Sequence, residues 1–216
     1  MNFSYFPSVK SQRGELCTYE KFLEVSHSPM VAEMCAAIAR EPDHEQQQQL
    51  KKQLSGFTFN AHFPGPRKND QAEPSGLYMV DLDGIENPFQ FYSDHICGRK
   101  GELDIVYVGL TPSRHGIRIV GKCKSEFSTI AECQQWMSEQ IGCKCDPACK
   151  DFARFSYAVP FDYIYFLDAK GMFSDEPEAV YDVKVQGVVD RADGIPQKVG
   201  MEQKKPRQPT HSRAFH

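Results

Sequence analysis

Residues 103–110 (LDIVYVGL) form an apolar run dense in β-branched and aromatic side chains, and a second run, 116–120 (GIRIV), follows after Thr111, Pro112, Ser113, Arg114 and His115. Pro and Gly suit a tight connection and are poor strand interiors, so the two runs predict an antiparallel hairpin buried in a sheet. Residues 77–82 (LYMVDL) read as a third buried strand. Downstream, Ser125 or Ser128 caps a predicted helix carrying Ile130, Cys133, Met137 and Ile141, with Gly142 where a left-handed C-terminal residue is expected. Residues 155–166 (FSYAVPFDYIYF) are aromatic and interrupted by Pro160, which predicts two short strands or a strand and a loop.

Ahead of these strands the period changes. Ser28 and Pro29 open a helix with Val31, Met34, Cys35 and Ile38 at helical spacing. A second helix is expected over 43–54, capped by Asp43, with Leu50 and Leu54 on its inner face and the run Gln46 to Gln49 solvated. The stretch FPGPRKNDQAEPSG ending at Gly76 marks 56–76 as a long irregular connection. These boundaries give an N-terminal helical unit (1–56) packing on a core (57–193). A tail or linker (194–216) follows, in which Lys198, Lys204, Lys205, Arg207 and Arg213 face Glu202 alone.

With 216 residues, 40% hydrophobic and 25% charged, the chain can bury one sizeable core. Twenty-five Lys and Arg against 29 Asp and Glu leave a net charge of -4, so nucleic-acid binding has to be local rather than driven by a global basic field. The opening MNFSYFPSVKSQRG lacks a basic segment followed by an apolar one, and no later run is long enough to span a bilayer, so the expected location is the cytoplasm, with no membrane partner. In that setting the 8 cysteines read as free thiols or metal ligands rather than a disulfide framework.

Asp81 and Asp83 close the third strand. Alternation puts both on one face, with roughly 6.5 Å between their Cα atoms, while Leu82 faces the core. Two carboxylates on one face repel unless a cation lies between them, and a pair of hard divalent ions fits both this need and phosphoryl displacement. Alone, such a pair is a common strand-to-turn sequence. Here Asp146 and Arg154 follow in CDPACKDFAR, offering a third carboxylate and a guanidinium suited to phosphate, and the hairpin adds Ser113, Arg114, His115 and Arg118. Ile117 and Ile119 face the core, so Arg118 takes the opposite surface.

The combination YMVDLDG, TPSRHGIRIV and Asp146 resembles the archaeo-eukaryotic primase superfamily in its primase-polymerase branch, and most closely the N-terminal primase module of virulence-associated-protein-E-type primase-helicases, over 57–168. The resemblance implies an α+β fold with an RRM-like antiparallel or mixed sheet as catalytic core, flanked by helices, and an N-terminal helical or αβ unit. It implies a DNA primase or polymerase of replication or repair, in some cases of a mobile element, that joins nucleotides on a single-stranded DNA template. Asp81, Asp83 and Asp146 would be catalytic and hold two Mg²⁺ or Mn²⁺ ions; Ser113, His115, Arg118 and Arg154 would bind the nucleoside triphosphate, and a helicase domain or protein would be a partner. Ser113-Arg114-His115 fits one family spelling of the second motif and Gly116-Ile117-Arg118-Ile119 another, with Arg118 preferred for the deepest phosphate contact.

Three other readings compete. Zinc would use Cys143, Cys145 and Cys149 with Cys123, Cys133 or the Asp94-His95-Ile96-Cys97 segment, but paired Cys-x₂-Cys knuckles are missing. A rolling-circle nuclease needs a His-hydrophobe-His pair, which none of the 7 histidines forms. A non-catalytic single-stranded nucleic-acid-binding module would use Tyr157, Phe161, Tyr163 and Tyr165 as stacking surfaces.

Overall fold

In a computed structural model that describes residues 1–173 and 180–183, strands β1 (Ser4–Phe6) and β2 (Glu15–Leu16) precede three helices: α1 (Tyr19–Ser26), α2 (Pro29–Arg40) and α3 (His44–Lys51). Pro29 starts α2 as expected, and Val31, Cys35 and Ile38 form its buried stripe. Asp43 caps α3 by accepting the Gln46 N–H, and this helix ends at Lys51 rather than at residue 54.

The stretch expected to be an irregular connection is more ordered. It contains β3 (Gly56–Thr58), β4 (Ala61–His62), a 3-10 turn at Asn69–Gln71 and β5 (Glu73–Pro74). Its prolines and glycines lie mostly after residue 63, whereas Phe57, Phe59, Ala61 and Phe63 alternate with polar residues and are all buried. That period of two belongs to strands. The expected boundary between residues 56 and 57 falls inside β3, which pairs with β1 from Ser4↔Thr58 to Phe6↔Gly56.

Next come β6 (Leu77–Asp83), α4 (Pro88–Phe91) running into a π-helical turn at Tyr92–Ile96, then β7 (Ile105–Leu110) and β8 (Gly116–Lys122). Helix α5 (Ile130–Ile141) is capped by Thr129, not Ser125 or Ser128: Thr129 Oγ1 accepts the Glu132 N–H while the Glu132 carboxylate accepts the N–H groups of Ser128 and Thr129. Gly142 takes the left-handed C-cap with φ 67°. After a 3-10 turn at Pro147–Lys150 come β9 (Ser156–Tyr157), β10 (Ile164–Asp168), α6 (Ala169–Met172) and β11 (Val180–Asp182). The 155–166 segment thus holds one short strand and the start of another. The tail at 194–216 lies outside the described residues.

The strands form three sheets ordered β2-β1-β3-β9, β11-β10-β7-β8-β6 and β4-β5, and the strand pairs within them are antiparallel among the described residues. The fold is therefore mixed α+β, and the predicted hairpin is the β7–β8 pair inside the five-stranded sheet. One face of that sheet carries Tyr107 and Arg118 toward Phe22, Phe57, Phe59 and Tyr157 of the N-terminal elements and β9. The other face, with Val80, Leu82, Ile117 and Ile119, joins the core beneath α5. No helix among the described residues is long and apolar enough to cross a membrane.

Strand β6 is the sheet's outer edge, and an exposed edge invites pairing with other chains. Here its outward groups at Met79 and the Asp81 carbonyl are occupied. Asn60 Oδ1 accepts the Met79 N–H (2.9 Å), Gln134 Nε2 donates to the Met79 carbonyl (2.8 Å), and the Asp146 N–H donates to the Asp81 carbonyl (2.9 Å). Asn60 also donates through Nδ2 to the carbonyls of Cys149 and Asp151, so one buried side chain joins the edge strand to the 146–154 segment.

Candidate functional site

Asp81 and Arg118 stand directly opposite each other on β6 and β8. The guanidinium grips the carboxylate with two bonds, Nε to Oδ1 at 2.8 Å and Nη2 to Oδ2 at 2.9 Å, and donates from Nη1 to the Tyr157 carbonyl at 3.1 Å. Both residues are buried, at 6% and 5% exposure. Burial works against the Arg118 charge, but the Asp81 carboxylate more than offsets it and holds the guanidinium above its usual value. Arg118 shares the face of Asp81, as alternation required. It is closed off from solvent by β9 and the N-terminal elements, so it meets a carboxylate where a phosphate contact was expected.

Asp83 is exposed at the end of β6, opposite Gly116. That register brings the β7–β8 turn alongside it. Ser113 is half-buried there, Arg114 sits in the left-handed region with φ 65°, and His115 is exposed. The Ile85 N–H donates to the His115 carbonyl at 3.1 Å and fixes the turn to the chain just past Asp83. Lys51, at the end of α3, is a further cation at this place. Burial pushes its ammonium below the usual lysine value, while Asp83 and Asp81 oppose the shift.

Asp146 reaches the site through its backbone bond to Asp81, but its carboxylate is engaged elsewhere. Oδ1 accepts the Ala148 N–H at 2.9 Å, capping the 3-10 turn, and Oδ2 accepts from Arg154 Nη2 at 2.7 Å. Arg154 Nε is buried with no hydrogen-bond partner among the described residues.

Hard carboxylate oxygens suit Mg²⁺ or Mn²⁺ in chemical type. The arrangement does not fit a two-ion set, however: both oxygens of Asp81 are held by Arg118, those of Asp146 by Ala148 and Arg154, and only Asp83 points to solvent. Among the described residues no group of three or more His, Cys, Asp or Glu side chains is placed to hold a metal ion. The cysteines considered for zinc are free thiols: Cys123 and Cys133 are hydrogen-bonded neighbours, while Cys145 and Cys149 have other partners. Cys145 Sγ donates to the Gln134 carbonyl (3.7 Å), and burial pushes the Cys149 thiol up to about 12, with Asp81 adding to the shift. Of the rings offered as a stacking surface, Tyr163 and Tyr165 are buried, and Phe161 stacks on His27 at 4.7 Å between centroids.

Three residues of this region escaped the sequence reading: Lys51, Asn60 and Gln134. Only Asn60 left a trace, as a polar residue inside the alternating Phe57–Phe63 run. Comparison with protein-family models, with curated proteins and with solved structures found no match to the chain.

Proposed function

We propose that this protein is a nucleotidyltransferase of the primase-polymerase kind, joining nucleotides on a single-stranded DNA template in the cytoplasm, alone or beside a helicase domain or protein. The observation that carries the reading is the bond from the Asp146 N–H to the Asp81 carbonyl. It draws a third acidic residue, from a distant stretch of chain, to the strand that bears the acidic pair, and it does so beside the hairpin that supplies His115 and Arg118.

The RRM-like reading of the core rests on the succession β6, helical segment, β7–β8 hairpin, α5, β10. The acidic residues match Mg²⁺ or Mn²⁺ in chemical type only, so no metal step is part of the proposal. The chain's own groups divide into two layers. Asp81–Arg118 is a buried pair and Asp146–Arg154 a half-buried one, each with its charge compensated, while Asp83, Lys51, Ser113 and His115 lie at the outer end where a nucleotide has access. Lys51 and His115 offer donors to phosphate oxygens, and Arg154 Nε is a buried donor without an acceptor among the described residues.

Asp83 is the residue on which to test the reading, because it is exposed and its replacement leaves both ion pairs intact. Asp83→Asn is expected to abolish dinucleotide synthesis and primer extension on single-stranded DNA with Mg²⁺ or Mn²⁺ present, at unchanged circular dichroism and melting temperature. Wild-type yields from the variant would overturn the assignment.

A further inference from the structure

Past Asp83 the chain turns at Gly84, with φ 69°, and enters α4 and its π-helical continuation. Between the turn and the helix lies an open cleft of about 350 Å³, lined by Ile85, Asn87, Gln90, Phe91, Asp94 and His95 among others. Its size falls at the lower end of small-molecule sites, typically ~300–1,000 Å³. The π-helical turn Tyr92–Ile96 forms one wall, and such turns are uncommon and concentrate at functional sites.

The wall presents rings and amides. Phe91 and His95 lie 4.6 Å apart between centroids at 32°, with His95 exposed and Phe91 half-buried. Asn87 Oδ1 accepts the Gln90 N–H (3.0 Å), and Gln90 Nε2 donates to Asp94 Oδ1 (2.8 Å). These bonds engage the acceptor of Asn87 and the amide nitrogen of Gln90, leaving the Asn87 amide as donor and the Gln90 carbonyl as acceptor. A ring surface beside a donor and an acceptor is what a heterocyclic base recognises. Glu86 and Asp94 line the same cleft and repel phosphate, so an anionic tail has to leave it. The Ile85 N–H to His115 carbonyl bond ties the cleft to the turn carrying Ser113 and His115.

We infer that this cleft is a nucleobase-binding subsite, stacking the base on the Phe91–His95 rings and directing its phosphates toward the turn that carries Ser113 and His115. The inference rests on the nucleotidyltransferase reading for that direction, whereas base binding itself requires neither metal nor turnover. The probe is adenosine, observed by saturation-transfer NMR on the full chain without added metal. Transfer to the base protons is expected, with affinity reduced roughly 10-fold by His95→Ala, whose side chain is exposed, and by Phe91→Leu, which removes the ring but keeps apolar volume. Displacement by ATP would assign the subsite to the incoming nucleotide, and displacement by a short oligodeoxyadenylate to the template strand. Absence of transfer, equal affinity in both variants, or displacement by neither competitor would overturn the subsite. Base binding in a protein that makes no primer would overturn the catalytic reading alone, and primer synthesis without base binding would overturn the subsite alone.

Discussion

Asp81 and Arg118 bind each other through two charged hydrogen bonds in a buried setting, and the energetics of such a pair are asymmetric. Forming it recovers little beyond the desolvation of both groups, while removing one partner strands the other charge in the interior. Arg118→Ala is therefore expected to lower the unfolding free energy by ~3–5 kcal/mol, read as a lower urea midpoint at similar slope. Replacing both residues together, as Asp81→Leu with Arg118→Met, is expected to unfold near or above the wild-type midpoint. A single variant that loses less than about 1 kcal/mol would mean the pair behaves like a surface bridge. One consequence concerns function: activity lost on changing residue 81 or 118 mixes catalysis with folding, which makes exposed Asp83 the more informative position.

Strand β6 illustrates what local sequence encodes and what it does not. Its apolar run and acidic end are plain in the sequence, alternation alone puts Arg118 of β8 on the face opposite Ile117 and Ile119, and the α5 stop at Gly142 follows from the left-handed conformation that favours glycine. Alternation gives a face but not a register, so the Asp81↔Arg118 pairing, and with it the enclosure of Arg118, was not legible. Nor was the covering of the edge, because Asn60 and Gln134 come from separate elements and meet β6 only in the folded chain. Asn60 carries three bonds there, accepting from Met79 and donating to Cys149 and Asp151. Asn60→Ala leaves the Met79 N–H and two carbonyls without their partner, at ~1–3 kcal/mol for each buried group that water does not reach. The expected result is a loss of at least about 2 kcal/mol with faster hydrogen exchange at the Met79 amide. Asn60→Asp keeps the acceptor for Met79 and removes the donors, so it is expected to preserve protection at Met79 better than alanine does. If Met79 exchanges at the wild-type rate in Asn60→Ala, the edge is closed by some other group.

At the scale of the molecule, the site face of the five-stranded sheet is built jointly with the first 56 residues. Phe22 of α1 packs on Phe57 (5.3 Å) and Tyr107 (6.2 Å), Phe3 packs on Phe57 and Phe59, and β1 supplies the neighbour of β3. Lys51, the half-buried cation influenced by Asp83, comes from the same stretch. A chain beginning at residue 57 would lack the first residue of β3, all of β1 and the Phe22 ring, leaving Phe57, Phe59 and Tyr107 as a contiguous apolar surface over the Asp81–Arg118 pair. Such a surface either aggregates or stays loosely packed. That fragment is expected to bind the dye ANS strongly, to give weak near-ultraviolet dichroism and to unfold in urea without a sharp transition, whereas the full chain unfolds cooperatively. A sharp transition in the fragment would establish 57 onward as a self-sufficient core and reduce the N-terminal elements to an accessory. Loss of cooperativity would instead mean that the cover over Arg118 and the lysine beside Asp83 fold as one unit with the sheet they face, and that the site cannot form before its N-terminal half is in place.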